Sequence, residues 1–208
     1  MARSKTSIMN RALDMIGAAN ITSPTQNSKS ARALNRAWDP VLDFLLSKHD
    51  WGFAIKRDEL AQSATDPDYE YDRQYTLPND FIRLLEVHPK YLKHRLEGQF
   101  IVANTDTLRI KYVAKITDPN EFSADFAELL AKGLAAEICF KITQSRTLTV
   151  DKKAEFKEAM RWAMSDASKS SGTPLPSADD VWMSHRGYFA DPGGEATVAD
   201  DFDYGSVT

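Results

Sequence analysis

The strongest constraint in this sequence is residues 121–144, a stretch apolar around nearly the whole circumference of a helix. Phe122, Phe126, Leu129, Gly133 and Phe140 trace one stripe, and Leu130, Leu134, Ile138 and Ile142 trace a second beside it. A narrow charged strip runs through Asp125, Glu128 and Lys132. A helix of this kind is packed on two sides and must sit centrally among other elements. Three further segments carry a helical period. Residues 5–17 place Ile8, Ala12, Met15 and Ile16 on one face, with Gly17 at the end. Residues 30–49 gather Ala31, Leu34, Trp38, Val41, Leu42, Leu45 and Leu46 into a broad arc, with Pro40 on the polar side, where a kink or local break is expected. Residues 151–169 turn Phe156, Met160, Ala163 and Ala167 to one side.

Between the second and third of these helices the period changes to two. Tyr69, Tyr71, Arg73, Tyr75 and Leu77 alternate, and Leu77-Pro78-Asn79-Asp80 makes a turn before Phe81–Val87. A hairpin connection follows at Leu96–Gln99, then Gln99–Ala103 and the alternating run Leu108–Tyr112. These are antiparallel signals for about five short strands. The expected fold is α+β: an antiparallel bundle of about four helices from residues 1–50 and 119–171, a small antiparallel β-domain inserted at 51–118, and an extended tail at 172–208.

The tail differs from the body in charge. Residues 172–208 hold seven acids and one base, a charge of −6, which leaves 25 bases and 23 acids on residues 1–171. Val181, Trp182, Tyr188, Phe189, Phe202 and Tyr204 lie among Gly, Pro and Asp without a regular period. Such a segment cannot build its own core, so it is either disordered or docked on another surface, and its aromatics favour docking.

Motifs for catalysis are missing. There is no G-x-G-x-x-G, G-K-[ST], G-x-S-x-G or H-E-x-x-H, and nothing points to an enzyme, a cofactor or a metal. His49, His88, His94 and His185 are scattered. The acidic run Asp66–Asp72 has Tyr71 and Leu77 where a calcium loop needs Gly and an acid, so it reads as a solvated loop. The single cysteine, Cys139, excludes an intrachain disulfide and reads as a small core residue. No run approaches the roughly 20 apolar residues that span a bilayer, and Met1–Lys5 leads into an amphipathic stretch unlike a signal peptide. The basic clusters Lys90–Arg95 and Arg109–Lys115 are either a solvated sheet face or a DNA contact; the net charge of −4 favours the former. Trp162 shares the polar face of its helix with Glu155, Glu158 and Asp166. Either the inserted β-domain covers it or it anchors a subunit interface.

Several segments, in order, resemble the head-to-tail adaptors of short-tailed bacteriophages, the tail tubular protein A family. They are Leu13-Asp14-Met15-Ile16-Gly17 with Ile21-Thr22-Ser23; Ala33-Leu34-Asn35; the corner His49-Asp50-Trp51-Gly52-Phe53; Tyr75-Thr76-Leu77-Pro78-Asn79-Asp80-Phe81-Ile82-Arg83; and Phe126 through Ser145. The resemblance covers residues 5 to about 170, and the acidic tail departs from a compact adaptor. It implies a structural virion protein in the neck, forming a ring, usually dodecameric, under the portal. It further implies side-by-side bundles around a channel passed by double-stranded DNA without specific binding, and contact with a nozzle or other tail component. Trp182, Tyr188, Phe189, Phe202 and Tyr204 would meet the portal or the adjacent subunit, and Trp162 would lie between subunits. The alternatives are another neck or tail ring component, such as a tail completion protein, and a small helical nucleic-acid-binding regulator with an acidic tail.

Overall fold

A computed structural model describes residues 3–170 and places four helices and two small antiparallel sheets in the order ααββββββαα. Helix α1 spans Lys5–Asp14, α2 Lys29–Lys48, α3 Ala124–Thr143 and α4 Arg146–Ser170. The strands are β1 (Ile55–Leu60), β2 (Arg73–Thr76), β3 (Phe81–His88), β4 (His94–Glu97), β5 (Phe100–Ala103) and β6 (Leu108–Ala114). All six lie between α2 and α3 in the chain, so the α+β reading holds. Residues 172–208, with Trp182, Tyr188, Phe189, Phe202 and Tyr204, lie outside the described residues.

Local chemistry sets the helix ends. The Ser4 and Ser7 side chains form a reciprocal capping box at the start of α1, and Ser28 and Ser123 accept from the backbone N–H of Ala31 and Phe126. Helix α1 stops at Asp14, three residues short of the expected Gly17, because the Ala18 N–H closes back on the Leu13 carbonyl with Gly17 at φ +68°. Asn10 then holds the following loop, donating to the Ile21 carbonyl and accepting from the Ile21 N–H, both at 2.9 Å. Helix α2 continues through Pro40 without the expected break; Pro40 is exposed, so the missing N–H falls on the solvent side. Helix α4 begins at Arg146, five residues earlier than the apolar spacing suggests. Gln144 turns the chain through φ +58°, and the Ser145 hydroxyl accepts from the Leu148 N–H at 3.3 Å.

Helix α3 is the centre. Eleven of its residues are buried, and α1, α2 and α4 all pack on it. Cys139 is fully buried there, as expected of a small core residue. Phe140 departs from the expected core stripe and stands 43 % exposed. An aromatic cluster joins α2 and the start of the β region to α3. Trp51 donates to the Leu45 carbonyl at 2.9 Å and meets Phe126 edge-on at 5.0 Å, while Phe53 and Phe122 complete the group.

The strands form two sheets, in the orders β1-β6-β3 and β2-β5-β4. Strand β1 was absent from the alternating pattern because its burial runs from half-buried Ile55 through four exposed residues to buried Leu60. Its pairing with β6, Ile55 to Val113 and Leu60 to Leu108, defines it. Tyr69 and Tyr71, expected on a strand, precede β2 instead: Glu70 adopts φ +70° and breaks the extended chain, leaving Tyr69 81 % exposed. The hairpin at Gly98-Gln99 joins β4 to β5 as expected, with Glu97 opposite Phe100. Lys115, just after β6, links the β region to α2 through Asp43, 2.9 Å from its Nζ. The hydrogen bond to Asp43 raises the pKa of the ammonium above the ordinary lysine value.

Candidate functional site

The basic clusters are largely neutralised from within the chain. Arg109 meets Glu59 at 2.7 Å across the β1–β6 pair, and Lys111 meets Glu86 at 3.1 Å across β3–β6. Lys93 reaches Glu70 at 3.5 Å, and Arg95 reaches Glu97 at 3.6 Å. The Lys111 hydrogen bond holds the Glu86 carboxyl below its usual range. A guanidinium or ammonium already facing a carboxylate has less attraction left for phosphate. His88 lies 3.8 Å from Glu86, and His94 contacts the Leu92 carbonyl. No group of three or more His, Cys, Asp or Glu side chains suited to a metal ion occurs among the described residues. Among those residues, no helix is long and apolar enough to cross a membrane.

The surface feature that stands out lies on the helices. Helix α4 packs mainly on α3 through Leu148, Phe156, Ala159, Met160 and Ala163, and none of these side chains is fully buried. Trp162 stands 67 % exposed and Val150 66 %, so the β-strands do not cover the tryptophan. At about 100° per residue, Trp162 lies roughly 100° to one side of the stripe that faces α3. Asp151, Glu155 and Glu158 fall on the same side. Glu155 is held by Lys152 at 2.9 Å, whereas Asp151 and Glu158 have no ion pair among the described residues. Thus a large aromatic shares one side of α4 with three acids, of which Glu158, one turn away, is its neighbour.

On the opposite side of α4 a groove of about 440 Å³ runs between α2, α3 and α4. Ala37, Pro40, Val41, Phe44, Ala136 and Phe156 line it, with Gly133 at its base. Glycine is required there by packing. A Cβ on residue 133 would come within 2.8 Å of the Val41 Cγ1 and 3.1 Å of the Phe156 ring. The absence of a side chain therefore lets α2 and α4 both approach α3. Phe44 is 43 % exposed along the groove. Arg36, Lys141 and Lys153 lie at its rim, with Glu137 paired to Lys141 at 3.8 Å. Arg36 and Lys153 form no ion pair among the described residues.

Sequence spacing alone located Trp162 but not the groove, which exists only where three helices meet over Gly133. Its one sequence signal was that glycine, in a helix where alanine has the better propensity. No family model and no curated protein matches the chain.

Proposed function

We propose that this chain is a structural subunit of a virion neck, a head-to-tail adaptor that assembles as a ring beneath a phage portal and continues the DNA channel into the tail. The observation that carries the reading is the one-sided packing of α4. A 25-residue helix rests on α3, leaves Trp162 67 % exposed, and has no fully buried side chain between 146 and 165. A large exposed aromatic of this kind suits an interface anchor. The segments that resemble the adaptor family, from Leu13 to Ser145, supply the identity of the assembly, and the insertion of all strands between α2 and α3 is compatible with it.

In this reading the helices form an antiparallel bundle that packs side by side with its neighbours, twelve to a ring as is usual for the family. The β region turns towards the nozzle or next tail component. The tail, with Trp182, Tyr188, Phe189, Phe202 and Tyr204, reaches the portal or the adjacent subunit, and no cofactor or catalytic residue is involved. The paired bases of the sheets leave little free charge to hold double-stranded DNA on its way into the tail.

Size-exclusion chromatography with light scattering, on the chain alone and mixed with its cognate portal ring, tests the proposal. A small species that moves onto the portal as a stoichiometric ring is the expected result. A chain that ignores the portal overturns the adaptor reading and directs attention to other tail rings.

A further inference from the structure

The two uncommitted surfaces of α4 are complementary in shape and in charge. One side offers a projecting indole one helical turn from Glu158, with Asp151 about three turns away on the same side, two carboxylates without a paired base among the described residues. The other offers a concave apolar groove beside Arg36 and Lys153, two cations without a paired acid among them. Lys153 and Trp162 are nine residues apart, about two and a half helical turns at 3.6 residues per turn, which sets them on opposite sides of the helix. One molecule therefore cannot bring its own Trp162 into its own groove. A second copy can.

We propose that Trp162 of one copy seats in the α2–α3–α4 groove of the next, against Phe44 and over Gly133, with the acids of α4 facing Arg36 and Lys153. Each copy then gives one knob and receives one, a heterologous contact that repeats from subunit to subunit and closes into a ring when the rotation allows. The buried indole supplies the apolar anchor, and the charges at the rim set orientation and salt dependence. The inference rests on the reading of this chain as a ring-forming subunit and names the residues by which neighbours meet.

The test uses full-length chains, alone and with the portal ring, by sedimentation velocity over a concentration series. Trp162→Ala removes the knob and keeps the groove. Phe44→Glu places a carboxylate in the groove and keeps the knob. Each variant alone is expected to associate at least tenfold more weakly than the wild type. An equimolar mixture of the two still holds one intact contact, so it forms a dimer that grows no further. Charge reversal gives a second route that leaves the apolar parts intact: Lys153→Glu weakens association, and Glu158→Lys on the partner chain restores it. Thermal melts verify that each variant is folded.

A mixture that stays monomeric while the wild type associates overturns the contact and leaves the ring reading standing. So does Trp162→Ala assembling as the wild type does, which would place the groove's occupant in another segment, the 171–208 tail included. A wild type that forms no assembly, alone or on the portal, overturns both readings.

Discussion

Helices α3 and α4 have similar lengths, 20 and 25 residues, and opposite commitments. Helix α3 spends eleven residues in the core and receives three helices; α4 rests one stripe on α3 and, between 146 and 165, buries no side chain fully. The difference separates two uses of apolar surface. On α3, Phe126 and Leu130 are wholly buried and stabilise this chain's own fold. On α4, Trp162 presents a side chain that would bury 150–250 Å² in a contact, yet it contributes little to the fold that carries it.

The largest expected effect tests the α3 side. Phe126→Ala removes a fully buried ring that meets Trp51, Phe53 and Phe122, and should lower unfolding free energy by about 3–5 kcal/mol. Urea denaturation followed by circular dichroism measures it. A loss below about 0.5 kcal/mol would erase the distinction between the two helices, because surface substitutions stay within that scale. Where α3 and α4 meet, Gly133→Ala should cost less. The new Cβ presses on Val41, whose branched side chain has few alternative rotamers in a helix, and overpacking costs about 1–3 kcal/mol. Roughly 0.5–1 kcal/mol returns from replacing glycine within a helix. A net stabilisation would mean that α2 and α4 move off α3 at little cost.

How much of this was legible from the chain follows from where each signal resides. The centrality of α3 was legible because a helix surrounded by neighbours writes apolar residues around its whole circumference. The polar-side position of Trp162 was legible because its angle coincides with Glu155 and Glu158; that no strand covers it was not, since covering is a tertiary property. Strand β1 was not, since only Ile55 and Leu60 at its ends leave solvent and the pairing with β6 is a backbone property. Phe140 misled because a stripe on a wheel does not reveal where the covering helices stop. The ion pairs of Arg109 and Lys111 were hidden for a similar reason: their partners, Glu59 and Glu86, come from strands set by register.

A smaller effect depends on pH at the foot of α3. His49 touches Trp51 edge-on at 5.2 Å. Burial pushes its pKa below the ordinary 6.5, with Arg83 adding to that and Asp50 opposing it. The unfolded chain therefore takes up the proton first, so stability is fully present above about pH 6.5 and falls as the pH drops below it. The thermal midpoint should decline between pH 7.5 and 5.5, and His49→Phe should flatten that part of the profile. An unchanged slope in His49→Phe would assign the loss to another group. The decline belongs to the aromatic cluster, so variants on the outer face of α4 should leave it intact.

The smallest effect is the one that separates the helices most sharply. Trp162→Ala and Val150→Ser remove exposed apolar groups whose loss opens no cavity in the described chain. Each should change the unfolding free energy of the monomer by no more than about 0.5 kcal/mol, the usual range for surface positions away from caps and cores. Dilute solution is the condition that matters, because association would otherwise add its own free energy to the folded state and make the midpoint depend on concentration. A wild type whose melting temperature rises with concentration, beside a Trp162→Ala variant whose melting temperature does not, would place the tryptophan's contribution between molecules. A loss of several kcal/mol at every concentration would put that contribution inside the subunit, and α4 would then be a core helix like α3.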